Sequence, residues 1–222
     1  MTADPAPHTP TPQSHVRRLE EVPKALVAAG VLMGSSWVAS QGVSVTEEQV
    51  FEFLNRQPGL LEPVLWLPMQ LGSLFGPFVV GGLAWWRWRR WRPAVGSVVA
   101  GVVSWQLAKL VKNFIERGRP LDELDEVIKR MGTPTDGLGF VSGHSAVAFS
   151  LATVVSPYLS RPARVGAFAL ALVVGLARIH VGAHLPMDVV GGASLGVLVG
   201  YLWNLAVGVP DDADPVSGVP TP

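Results

Sequence analysis

Six apolar blocks, at 25–43, 64–86, 93–115, 142–159, 165–183 and 187–209, decide what this chain can fold into. A helix needs about 20 apolar residues to cross a bilayer, and every block is near that length. A soluble all-α protein would need polar faces at helical spacing on its outer helices, and a stretch such as "GAFALALVVGLA" offers none. Charged residues make up 15% of the chain and hydrophobic ones 49%, so there is little polar surface to cover such helices. The pattern predicts an all-α fold, a six-transmembrane-helix bundle over 24–209. Proline-rich tails at 1–23 and 210–222 read as disordered by composition. The first block reads as a retained span, although "WVAS" (37–40) weakly resembles a cleavage site.

Basic residues orient the bundle. Arg17, Arg18 and Lys24 precede the first block, Arg87, Arg89, Arg90 and Arg92 fill the second turn, and Arg161 and Arg164 the fourth. Those three segments hold nine of the 17 basic residues and share a side in a six-span chain, which makes that side cytoplasmic. Both termini are then cytoplasmic, while 44–63, 116–141 and the turn near 180–186 face outward. Within 44–63, Thr46, Glu47, Glu48 and Gln49 match a capping box, followed by Val50, Phe51, Phe53 and Leu54 and ended by Pro58 and Gly59. A short interfacial helix fits, and so does a plain surface connector. "WRWRRWRP" (86–93) interleaves cations with aromatics, but at the edge of a span it suits lipid headgroups, so no nucleic-acid partner is expected. Net charge is zero and cysteine is absent, which excludes disulfides and thiolate metal sites.

Charge inside an apolar run is costly, about 2.5–3.5 kcal/mol per residue on insertion scales. The misfits form three clusters: Lys109 and Lys112 with "ERGRP" (116–120), "GFVSGHS" (139–145), and "ARIHVGAHLPMD" (177–188). All three fall at outward helix ends. Ser142 suits the N-cap of the fourth block, where its hydroxyl and the N–H groups of Gly143 and His144 would face an anion. Pro186 suits a first helical position, which places Asp188 in the first turn and His184 just before it. Two histidines four apart, His180 and His184, with Asp188 would alternatively make a metal site, although Pro186 interrupts that face. Arg117 and Glu116 read as solvated or mutually paired, Lys109 as a snorkelling lysine by default with the site also within its reach, and "LDELDEV" (121–127) as a short surface helix.

In order and spacing these clusters resemble the type 2 phosphatidic acid phosphatase superfamily, in its membrane branch. "KNFIERGRP" supplies Lys112, Arg119 and Pro120 of the first family motif. "VSGH" supplies Ser142, Gly143 and His144 of the second, with Val141 in place of proline. "ARIHVGAHLPMD" supplies Arg178, His184 and Asp188 of the third, with Ala177 in place of serine. The match covers about 93–208. The resemblance implies a lipid phosphate phosphatase that needs no metal or cofactor. His184 would be the nucleophile forming a phosphohistidine, Asp188 its orienting partner, and His144 the group that protonates the leaving oxygen and then activates water. Lys112, Arg119, Ser142, Gly143 and Arg178 would bind phosphate. Polyprenyl diphosphate leads as substrate, with phosphatidate and phosphatidylglycerol phosphate close behind. The alternatives are a lipid-to-acceptor phosphotransferase on the same site and a non-catalytic lipid binder or transporter. Oligomeric state is not legible.

Overall fold

The computed structural model describes residues 15–134 and 136–211. Among them, nine helices follow one another: α1 (Glu21–Ala39), α2 (Val45–Asn55), α3 (Leu61–Met69), α4 (Gly76–Trp88), α5 (Trp91–Ile115), α6 (Pro120–Glu123), α7 (Gly143–Val155), α8 (Arg161–His180) and α9 (Pro186–Val207). A two-residue strand β1 (His15–Val16) pairs antiparallel with β2 (Val209–Pro210). The N-terminal boundary therefore lies earlier than expected, since residues 15–23 hold a strand and the start of α1. The rest of the predicted tails, 1–14 and 212–222, falls outside the described residues.

Four helices, α1, α5, α8 and α9, are each long and apolar enough to span a membrane, and the α3–α4 pair makes a fifth span if counted as one. The expected count of six full-length spans is not reached. The 64–86 block is broken by a 3-10 turn at Gln70–Gly72, and its two halves meet at 75°. The 142–159 block holds only the 13-residue α7 before a second 3-10 turn. Thirteen residues rise about 20 Å, short of the ~30 Å hydrocarbon layer. The reason is position: ten residues of α7 are buried, and it sits among α4, α5, α8 and α9. A helix that faces protein need not match the thickness of the lipid.

The outer surface fits lipid. Leu26, Met33, Phe78, Leu83, Phe114 and Val165 are all more than half exposed, along helices that would aggregate in water. Inside, small residues set the spacing. A Cβ on Gly192 would lie 2.3 Å from the Ser142 carbonyl oxygen, and one on Gly196 would lie 2.1 Å from that of Ala146. These glycines, four apart on one face of α9, let its backbone approach α7 directly. The Ser142 N–H then reaches the carbonyl of Asp188 at 2.8 Å, so the start of α7 is fixed to the start of α9.

At the β1–β2 end, Arg17 and Arg18 donate to the carbonyls of Ala206 and Pro210, so the two described ends of the chain share one end of the bundle. The opposite end carries α2 and the 116–141 connection. The cap of α2 is Ser44 rather than Thr46: its side chain accepts from the Glu47 N–H at 3.2 Å. Phe51 of α2 is fully buried against Ile179, Leu185 and Val189, so the segment is part of the core and not a surface connector. Asn55 ties it down, exchanging bonds with the Ile128 backbone and donating to the His180 carbonyl. Of the helix expected over 121–127, only Pro120–Glu123 is helical.

Candidate active site

The end of α5 supplies the first cation. Lys112 Nζ donates to the carbonyls of Leu138 (2.7 Å) and Gly139 (2.8 Å), which leaves a third N–H for a ligand. Glu116 closes α5 with a left-handed residue, φ 50°, and turns the chain inward. Three residues later Arg119 donates from Nε to the Asp136 carbonyl (2.8 Å) and from Nη1 to that of Ala183 (3.1 Å). Its head is fixed by backbone, and Nη2 makes neither of these bonds.

Ser142 caps α7 as its sequence position predicts, accepting from the Ser145 N–H at 3.4 Å and the Ser145 hydroxyl at 3.1 Å. It is fully buried and does not line the cavity, whereas Gly143 and His144 do. The His144 ring packs at a tilt on Trp105, with centroids 6.0 Å apart.

The turn between α8 and α9 builds the third part. Gly182, at φ 82°, allows the Ala183 and His184 N–H groups to fold back on the Arg178 carbonyl, at 3.0 and 3.3 Å. α9 restarts at Pro186. Asp188 Oδ2 accepts from the Leu185 N–H (2.9 Å) and meets His184 Nδ1 at 3.3 Å. Arg178 Nη1 donates to Met69 Sδ at 3.2 Å, so the bend after α3 helps to hold the guanidinium.

These side chains surround one cavity of about 290 Å³, lined by Lys112, Arg119, Gly143, His144, Arg178 and His184 among others. Asp188 stands behind His184, fully buried. His184 titrates well below the ordinary histidine range: burial is the main cause, and the nearby charges of Lys112, Arg178 and Arg119 add to it. The imidazole is therefore neutral near pH 7. Cationic N–H donors surround it, and one ring nitrogen faces a carboxylate.

Three placements differ from expectation or extend it. His180 does not join the cavity, because its Nδ1 meets the Leu54 carbonyl at 3.2 Å; the alternative metal grouping with His184 and Asp188 does not assemble. Arg117 is neither solvated nor paired with Glu116. It is buried, with Nη2 2.6 Å from Glu47 Oε2 and Nη1 3.3 Å from Asp188 Oδ1. Its expected exposure fails because the turn at Glu116 directs the next residue into the protein. Lys109, expected to snorkel, lines the cavity with its Nζ 5.8 Å over the Trp105 ring. The spacing 105, 109, 112 puts all three on one helical face, a periodicity present in the sequence itself.

The family model for the PAP2 superfamily matches residues 72–209, which takes in every motif above. The chain belongs to the PAP2 superfamily. Among the relatives of this PAP2 member are phosphatidylglycerophosphatase B of Bacillus subtilis (strain 168), 25% identical over 198 residues, 85% of this chain and 84% of the relative. Another is the bacitracin transport permease protein BcrC of Bacillus licheniformis, 28% identical over 154 residues, 67% of this chain and 74% of the relative. Among solved structures, the transmembrane PAP2-type phosphatidylglycerolphosphate phosphatase from Bacillus subtilis superposes with a TM-score of 0.63 at 22% identity, covering 80% of this chain and 94% of that one. Aquifex aeolicus LpxE gives 0.61 at 26% identity, covering 70% and 92%. This PAP2 member is thus an integral-membrane protein of a phosphatase family, with the fold of its solved relatives.

Proposed function

We propose that this PAP2 member is a membrane phosphatase that removes phosphate from a lipid monophosphate or diphosphate through a phosphohistidine on His184. The observation that carries the reading is the meeting of His184 Nδ1 with buried Asp188 at 3.3 Å, beside a cavity shared with His144 and three cations. Asp188 accepts a hydrogen bond from the Nδ1–H, which fixes the tautomer so that the neutral ring presents the Nε2 lone pair. Nε2 attacks phosphorus, the bond from phosphorus to the leaving oxygen breaks, and His144, protonated when the phosphate anion is bound beside it, delivers that proton to the leaving oxygen. Water then attacks the phosphohistidine with His144 as base, the P–N bond breaks, and inorganic phosphate departs. Lys112, Arg119 and Arg178 balance the charge that grows on the equatorial oxygens, and a preset field of this kind needs no reorganisation during the reaction. The phosphate-binding role given to Ser142 is indirect, since its hydroxyl caps α7 and thereby orients the Gly143 and His144 backbone.

The basic end of the bundle faces the cytoplasm by the positive-inside rule, so the cavity opens to the outer leaflet of a bacterial plasma membrane. Polyprenyl diphosphate leads as substrate for an outward site. The named activity of the phosphatidylglycerophosphatase B relative supports phosphatidylglycerol phosphate as the next choice. The test is a panel of polyprenyl diphosphate, phosphatidate and phosphatidylglycerol phosphate in mixed micelles, with excess chelator and with vanadate. Phosphate release that survives chelator and is blocked by vanadate is expected. Loss of activity on chelation, or transfer of phosphate to another lipid in place of release, would overturn the reading.

A further inference from the structure

Glu47 lies outside all three motifs and Arg117 at a position inside the first that the motif leaves unspecified, yet they form a deeply buried ion pair, each side chain 2% exposed. Arg117 grips Glu47 with both guanidinium tips, Nη2 to Oε2 at 2.6 Å and Nη1 to Oε1 at 3.1 Å. The same Nη1 reaches Asp188 Oδ1 at 3.3 Å. Glu47 Oε1 also accepts from the Met187 N–H at 2.9 Å, at the start of α9 and one residue before Asp188. A chain of contacts thus runs Glu47, Arg117, Asp188, His184, and it joins α2, the α5–α6 connection and the α8–α9 turn.

Removing charges this deep from water costs several kcal/mol per ion, and well-packed apolar residues of equal volume are often as stable or more so. Stability alone is thus a weak reason for the pair. What the pair does provide is definition at Asp188. Oδ2 of Asp188 serves His184 and the Leu185 N–H, and Arg117 occupies Oδ1, so the carboxylate cannot rotate away from the imidazole. Glu47 has a separate task. Without it, the unpaired guanidinium would close on Asp188 with both tips and draw the carboxylate off His184, a geometry that arginine and carboxylates favour.

We propose that Glu47 and Arg117 are positioning residues for the reaction, a buried pair that fixes Asp188 in place against His184. The proposal rests on the phosphohistidine reading above. The charged and titratable groups facing Asp188 are Arg117 and Arg119 from the α5–α6 connection, Lys112 from α5 and His184 from the turn, with Glu47 of α2 on the far side of Arg117 and Arg178 of α8 across the cavity. Deleting the Arg117 cation disfavours an ionised Asp188, while deleting the Glu47 anion favours it.

The experiment measures kcat and KM against pH for wild type, Arg117→Met and Glu47→Gln in detergent, with His184→Ala and thermal unfolding alongside. Both variants should lose about tenfold to a hundredfold in kcat with KM changed far less, as expected when a positioned group slips. Their acid limbs should move in opposite directions, upward for Arg117→Met and downward for Glu47→Gln, each by about one pH unit. A purely structural pair would alter the amount of folded enzyme and leave both limbs in place. Unmoved limbs, limbs moving together, or a loss confined to KM would overturn the proposal while the phosphohistidine reading stands. Full activity in His184→Ala would remove both. If Arg117→Met does not fold, Arg117→Lys replaces it. That variant keeps the charge but not the two-tipped grip, and a wild-type kcat in it would overturn the proposal.

Discussion

His184 and His180 are four residues apart, carry the same side chain and lie in the same turn of sequence, yet their surroundings separate them. His184 faces the cations of the cavity and the carboxylate of Asp188, while His180 faces the Leu54 carbonyl and the Asn55 clamp. His184→Ala should abolish phosphate release, and His180→Ala should leave most of it; steady-state assays in which the order is reversed would refute the assignment. The acid side of the activity profile follows from the same contacts. A free histidine gains its proton near 6.5, and His184 resists it well below that value. Protonation of His184 should thus not set the acid limb as pH falls past 6.5, which leaves that limb to the ionisation of Asp188. The sign for stability is opposite in effect: below about 6.5 the unfolded chain binds a proton at this position that the folded chain refuses, so acid shifts the balance toward unfolding. The contribution is fully present above 6.5 and is lost as pH falls toward the depressed folded value. Unfolding midpoints of wild type and His184→Gln between pH 7 and 5 would check it, with the wild type declining more steeply.

At the scale of elements, the contact between α7 and α9 carries the site, because α7 begins at Gly143 beside His144 and α9 holds Asp188 in its first turn. Gly196→Ala tests this contact against helix propensity. Alanine gains up to about 1 kcal/mol over glycine in a helix. Its Cβ would lie 2.1 Å from a backbone oxygen that cannot swing aside, and overpacking of that kind costs about 1–3 kcal/mol. The clash wins, so thermal stability and activity should fall together. Gly166→Ala on α8, with nothing within 4 Å, should be neutral or stabilising. Equal behaviour of the two variants in a melting experiment would remove close approach as the explanation. Element boundaries also show where pattern reading stops. Apolar blocks such as 64–86 and 142–159 read as full spans because composition marks what avoids water, not whether the neighbour is lipid or protein. At the bend, Gly72 packs directly on such a neighbour: a Cβ there would meet the His144 carbonyl at 2.6 Å.

On the scale of the whole molecule, the basic segment at Arg17 and Arg18 and the cavity lie at opposite ends of the bundle, which makes orientation measurable. The chain has no cysteine, so single thiols can be introduced without background. With Lys129→Cys and Arg161→Cys, both at exposed positions, an impermeant thiol reagent added outside intact cells should label residue 129 and spare residue 161. The opposite pattern would place the site on the cytoplasmic side. What the sequence determined by itself is the membrane character of the chain, its family, and the placing of charged misfits at helix ends, because hydropathy and motif spacing are local. Capping by Ser142, the Pro186 start and the His184–Asp188 approach were legible for the same reason, since each joins residues no more than four apart. Tertiary structure decided which groups share the cavity, that α7 is a short central helix, and that Arg117 is buried against a glutamate 70 residues away. Pairings of that kind depend on which helices the packing brings together, and no local periodicity along the chain encodes a partner so distant.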